Sequence, residues 1–212
     1  MSSLLPSGAG IAYTLATPRL RLVCADPSFA PKIKLAVDSS LESLREWMSW
    51  TDAHPMALDG VIDLFRNFRA MFDRGEQYPF LILDGAGVEV LGAAGLHPRI
   101  GPGGLEIGYW VRADRRNEGI ATETSAALTR IGFELFAMDR VEIRVAVGNH
   151  SSNAVPAKLG FTHEATLRRR IPLRGERIDD ACIWTMFASE FPTSPAAKVA
   201  VEARDVAGRR LL

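Results

Sequence analysis

Residues Leu105–Glu123 constrain the chain more than any other stretch. Leu105 to Val111 is an apolar, β-prone run. From Ile120 onward the apolar side chains recur at helical spacing, through Thr124, Ala127, Leu128, Ile131, Leu135 and Phe136. A polar turn ending in Gly119 separates the two. A strand, a tight turn and a helix start gather at one point backbone N–H groups that the helix cannot pair. The positive end of the helix dipole lies at the same point, so the natural guest is an anion, a phosphate or pyrophosphate above all. Gly119 lets such a ligand approach the backbone without a Cβ in the way. On these residues alone an ordinary loop before a core helix remains the competing reading.

The flanking sequence sets the kind of sheet. Arg19–Val23 alternates as a strand, and Asp26-Pro27 opens helical patterns over 27–37 and 41–50. Leu58–Arg74 reads as a helix ended by Gly75, and Tyr78–Leu83 and Val88–Leu96 as a hairpin around Asp84-Gly85-Ala86-Gly87. After Leu105–Val111 and its helix come a strand over 140–147, a short helix over 151–159, and strands over 161–171 and 178–187. Hairpins outnumber crossovers. The order therefore predicts an α/β sandwich on a mixed, mostly antiparallel seven-stranded sheet flanked by helices, and not a doubly wound sheet.

The 212 residues suit one domain, expected over 17–190, with a flexible N-terminal arm over 1–16. Residues 191–212 read as a C-terminal tail or short helix, with a homodimer contact left open. Lys plus Arg and Asp plus Glu balance at 25 each, which argues against a nucleic-acid or membrane partner. Cys24 and Cys182 read as buried thiols, not a disulfide, and the four histidines lack ligand spacing, so no metal is expected. With no signal-peptide pattern and no apolar run of about 18 residues, a cytoplasmic location is expected.

Arg116-x-x-Gly119-x-Ala121 resembles the R/Q-x-x-G-x-G/A motif of the GNAT superfamily of acetyl-CoA-dependent N-acetyltransferases. Ala121-Thr122-Glu123 is similar to the branch that acetylates the terminal alanine of ribosomal proteins. Three more stretches resemble that branch in order and spacing: Thr17-Pro18-Arg19-Leu20-Arg21-Leu22; Asn149-x-x-Ser152 with Val155 and Lys158-Leu159-Gly160-Phe161; and Gly175-Glu176-x-x-Asp179. The resemblance implies a GNAT-type fold with splayed central strands and acetyl-CoA as co-substrate. The acceptor would be a primary amine, on a protein N-terminus or a small molecule, attacking the thioester directly. A non-catalytic acyl-CoA-binding module is the alternative.

The resemblance also assigns residues. The amides of Arg116, Asn117, Glu118, Gly119, Ile120, Ala121 and Thr122 would hold the pyrophosphate. The pantetheine arm would lie where the strand ending Trp110-Val111 splays from the strand over 140–147, with Asn149 beside it and an amide near Val111 facing the oxyanion. Asn149 equally suits a helix cap, and Lys158 either meets cofactor phosphates or is a solvated charge. Glu106 is the expected base: a carboxylate amid Leu105-Glu106-Ile107-Gly108-Tyr109 is costly unless solvated or paired; the exposed face of a half-buried strand is the alternative. No Tyr occurs over 151–161, so Ser152 stands where an acid for the leaving thiolate is expected; a helix-terminus role is the alternative. Pro156, which has no N–H, is expected within the first turn of its helix. Leu44, Trp47, Met48 and Trp50 read as core packing, or else as one wall of the cleft.

Overall fold

The computed structural model describes residues 10–212; the first nine residues of the expected arm lie outside the described ones. The strands are β1 (Thr14–Ala16), β2 (Leu20–Cys24), β3 (Tyr78–Asp84), β4 (Val90–His97), β5 (Gly104–Val111), β6 (Arg140–Ala146), β7 (Thr162–Pro172), β8 (Ile178–Phe187) and β9 (Glu202–Arg204). The helices among the described residues are α1 (Ala30–Arg45), α2 (Leu58–Asp73), α3 (Ile120–Glu134) and α4 (His150–Leu159). One sheet runs β7-β8-β6-β5-β4-β3-β2-β1-β9. Every pairing is antiparallel except β5 with β6.

The sheet is buried on both faces. Along β3, Phe80 and Ile82 join the core under α3, with Leu105, Ile107, Ala127, Leu128 and Ile131. Leu81 and Leu83 point the other way, against Ile33 and Val37 of α1 and Val61 and Phe65 of α2. A strand covered on both sides reads as a continuous apolar run, which is what Tyr78–Leu83 is.

Three expectations are corrected. The sheet has nine strands, not seven, because β1 and β9 pair with each other at its far edge. Strands of three residues carry no usable alternation, and the Ala-rich tail meets β1 only through the tertiary fold. The two short helices expected over 27–37 and 41–50 are one, α1, flanked by 3-10 turns at Pro27–Phe29 and Ser49–Ala53. Its buried residues Ile33, Ala36, Val37, Ser40 and Leu44 continue one stripe through the polar Asp38-Ser39-Ser40. Finally, Pro156 sits in the interior of α4, not in its first turn.

Candidate active site

The turn before α3 is held by its own charges. Arg112 pairs with Asp114 and Glu89, and Arg115 with Glu118 and Glu89, at 2.6 to 2.9 Å. Ser40 of α1 accepts the Ala113 N–H at 3.0 Å, and the Arg116 guanidinium meets Ser43. Asn117 (φ 64°) and Gly119 (φ 78°) are left-handed, which turns successive amides the same way. Among the described residues, no protein acceptor takes the N–H groups of Arg116 through Thr122; the first paired amide is that of Glu123, bonded to the Gly119 carbonyl at 3.0 Å. These amides form a cradle open to an acceptor.

One stretch distant in sequence, Thr17–Arg19, fixes this helix start. Glu123 accepts from the Thr17 hydroxyl at 2.6 Å, the Arg19 amide at 3.0 Å and the Arg19 Nε at 2.7 Å. Arg19 Nη1 also donates to the Glu118 carbonyl at 2.9 Å. Lys158 and Lys198 share a shallow hollow with Arg19, Gly119 and Thr122, on the flank of the same turn.

Beyond the cradle the sheet opens. β5 and β6 pair only from Gly104↔Arg140 to Ile107↔Ile143, after which the strands part. The gap leads into a cavity of about 860 Å³. One wall is aromatic and aliphatic: Trp47, Trp50, Phe65, Phe68 and Trp110. Trp50 and Trp110 have ring centroids 6.2 Å apart. These tryptophans thus line the cleft; of the aromatic-rich cluster, Leu44 alone is fully buried core.

Glu106 lines the same cavity and is 6% exposed. Its cost of burial is met by Arg99, which donates from Nε at 3.0 Å and Nη2 at 2.5 Å, with Arg144 at 3.7 Å. The bond to Glu106 raises the Arg99 pKa still further, so this partner stays charged. His97 is the cross-strand neighbour of Glu106. Burial, followed by the Arg99 charge, lowers its pKa to about 4, so the imidazole is neutral at pH 7.

Tyr109, on β5, donates to the Ser152 carbonyl at 3.1 Å and lies 2.9 Å from Ser152 Oγ. Burial pushes its pKa up to about 12, which keeps the phenol protonated. Asn149 caps α4, accepting from Ser152 N–H at 3.1 Å through Oδ1, and also lines the cavity.

Glu106, Trp110, Asn149 and Ser152 thus line one cavity, and Arg116–Thr122 form the cradle. Lys158 lies at the flank of the turn, outside the cavity. The sequence reading missed Tyr109, Arg99, His97 and Lys198. Arg99 and His97 carry a signal in hindsight, since a buried strand carboxylate demands a cation and a cross-strand neighbour. Lys198, in a tail 40 residues after Lys158, carries none.

The acetyltransferase (GNAT) domain family matches residues 19–162. YdaF of Bacillus subtilis, provisionally named a ribosomal N-acetyltransferase, is 38% identical over 74 residues, 35% of this chain and 40% of YdaF. The chain thus matches under two thirds of that relative's length. Among solved structures, Mycobacterium smegmatis RimJ in complex with CoA-disulfide superposes with a TM-score of 0.77 at 26% identity, covering 91% of this chain and 94% of that one. RimL, a ribosomal L7/L12 alpha-N-protein acetyltransferase in complex with coenzyme A, shares the fold with a TM-score of 0.73 at 22% identity, covering 81% and 95%. The family match over two thirds of the chain, the parted β5 and β6 and the unpaired amides before α3 agree: the chain belongs to the GNAT family of acetyltransferases.

Proposed function

We propose that the protein is an acetyl-CoA-dependent N-acetyltransferase in which a primary amine attacks the bound thioester directly. The observation that carries this is the run of unpaired amides at the start of α3, set beside a strand gap that leads to a buried carboxylate. An extended pantetheine arm has amides that pair like a strand, and the parted edges of β5 and β6 offer backbone to meet them. Arg116–Thr122 take the pyrophosphate, with Lys158 and Lys198 near the cofactor's outer phosphates.

Glu106 then serves as the base, directly or through water. Its pairing with Arg99 holds it oriented to take a proton from the acceptor ammonium. The freed amine forms the C–N bond at the thioester carbonyl. The oxyanion is met by a backbone amide near Val111. As the C–S bond breaks, the departing sulfur takes a proton from the Ser152 hydroxyl, which regains one from solvent; the attacking nitrogen sheds its second proton to solvent as the amide forms, and Glu106 releases the first the same way. A thiol with a pKa near ~8.5 needs this help only in part.

The catalytic reading stands above a non-catalytic acyl-CoA-binding module because such a module has no use for a buried, ion-paired carboxylate at the end of the gap. The names of YdaF and RimL support a protein N-terminal amine as the acceptor class. The free thiols Cys24 and Cys182 suit a reducing, cytoplasmic setting, and among the described residues no helix is long and apolar enough to cross a membrane. Calorimetry with coenzyme A, and mass spectrometry of a peptide and small-amine panel with acetyl-CoA, test the reading. Absence of heat and of any acetylated product sinks it.

A further inference from the structure

Most arginines in this chain are tied down. Among the described residues, each arginine outside the β7–β8 hairpin reaches a carboxylate, a carbonyl or a hydroxyl. Within the hairpin, Arg174 pairs with Asp52 at 3.0 Å. The side chains of Arg168, Arg169, Arg170 and Arg177 have no partner among the described residues. Ten residues, 168–177, hold five arginines and one acid, Glu176, in a chain that is neutral overall.

Three of the free arginines sit in a bulge that is itself held in place. The register passes from Leu167↔Ala181 to Ile171↔Asp179, so 168–170 face Asp180 alone. Arg169 adopts φ 53°, a region that disfavours any residue with a Cβ. Asp180 Oδ1 accepts the Arg169 N–H at 2.8 Å and so stabilises the distortion. The Asp180 carbonyl accepts from Val147 N–H at 3.0 Å, which ties the bulge to the end of β6, two residues before Asn149. The nearby acids are turned to backbone: Asp179 meets its neighbour's amide and that of Gly148. None of them neutralises the guanidiniums. β7 is the outermost strand, and Arg170, Ile171 and Pro172 line the cavity that holds Glu106.

We propose that this bulge recognises an acceptor with negative charge just beyond its amine, namely the N-terminus of an acidic polypeptide. The proposal rests on the N-acetyltransferase reading. An extended chain with its α-amine near Glu106 leaves the cavity past Arg170 and then meets Arg168 and Arg169. In an extended chain every second side chain shares a face, about 6.6 Å apart, so carboxylates on the face turned to the bulge can meet separate guanidiniums. Such rim charges speed encounter and select partners by sign more than they add affinity. A nucleic acid would meet the same charges but would bring no α-amine to the cavity.

The test uses the full chain, acetyl-CoA, and three peptides sharing a first residue and continuing with Glu, Gln or Lys. The acidic peptide is expected to have the highest kcat/KM, with an advantage over the Lys peptide of roughly tenfold or more that shrinks as salt is raised. Arg168→Glu with Arg170→Glu should raise KM for the acidic peptide about tenfold, change kcat little and reverse the order of peptides. Arg168→Lys with Arg170→Lys should restore most of the preference, and a purely structural role would instead lower activity on all peptides alike. Equal kcat/KM for the three peptides, or a charge reversal that affects them equally, overturns the proposal. So does efficient competition by a mixed-sequence RNA that the reversal abolishes. Coenzyme A calorimetry on the same samples separates the failures: no cofactor binding and no product removes the acetyltransferase reading itself. Cofactor binding with indifferent or absent peptide turnover removes only the acidic acceptor.

Discussion

Tyr109 completes a hydrogen bond that Pro156 leaves unmade. In a regular helix the amide of residue 156 would donate to the carbonyl of Ser152, four residues earlier. Pro156 has no N–H, and it lies in the interior of α4. The Tyr109 hydroxyl, reaching across from β5, lies 3.1 Å from that carbonyl. With its proton on that carbonyl, the phenol oxygen accepts from the Ser152 hydroxyl at 2.9 Å. The proline thus prepares a docking point for the phenol, and the phenol fixes Ser152, the proposed proton donor to the leaving thiolate.

Tyr109→Phe should therefore act twice. It leaves the Ser152 carbonyl without a partner in a half-buried place, costing about 1–2 kcal/mol, and it lowers kcat. Adding Pro156→Ala returns an amide to the carbonyl and should recover the stability but not the rate. Urea melts and kcat across the four-member cycle check this. If the proline substitution rescues nothing in either readout, the bridging role is wrong.

Glu106→Gln should lower kcat by roughly a hundredfold or more while leaving coenzyme A affinity near the parent value. The Arg99 guanidinium would lose its carboxylate, but it is 58% exposed and can turn to water. Stability should accordingly fall little. Steady-state kinetics with calorimetry on one preparation decides it; a matched loss of cofactor binding would argue for a structural carboxylate.

His97 makes an acid-side prediction with a definite sign. Its pKa falls from 6.5 to about 4 on folding, through burial and then the Arg99 charge. Between those values the unfolded chain binds a proton that the folded one refuses. The corresponding stability is present above pH 6.5 and lost as pH falls towards 4, on the order of 3 kcal/mol. His97→Gln removes that component, so the stability difference between parent and variant should narrow from pH 7.5 to pH 4.5. A difference that stays constant over the range would show that His97 is not held neutral.

Gly119→Ala places a Cβ on a left-handed residue (φ 78°), 3.3 Å from Arg19 Nη2. The strain costs roughly 1–2 kcal/mol. The same methyl crowds the amide cradle, so coenzyme A should bind about tenfold more weakly, or ~1.4 kcal/mol. Thermal melts with and without coenzyme A read both effects, and unchanged affinity would move the pyrophosphate away from this turn.

Much of the fold was legible before any coordinates. The two-sided burial of β3 is written in the unbroken run Tyr78–Leu83, and α3 in the spacing from Ile120 to Phe136. The strand-turn-helix at Leu105–Glu123 announced an amide cradle, since left-handed Gly119 and a new helix start leave N–H groups unpaired by local geometry alone. These are short-range properties, and a sequence carries them directly.

What the tertiary structure decided are relations between residues far apart in the chain. The motifs around Thr17 and Ala121 proved to be one device, joined through Glu123. β9 found β1 across most of the chain's length. Arg99 came to Glu106, and Tyr109 to Ser152, because strand register and helix placement brought them within hydrogen-bond reach. Periodicity reports which face a side chain takes. Which partner waits on that face depends on how the elements pack, and that is set by the chain as a whole.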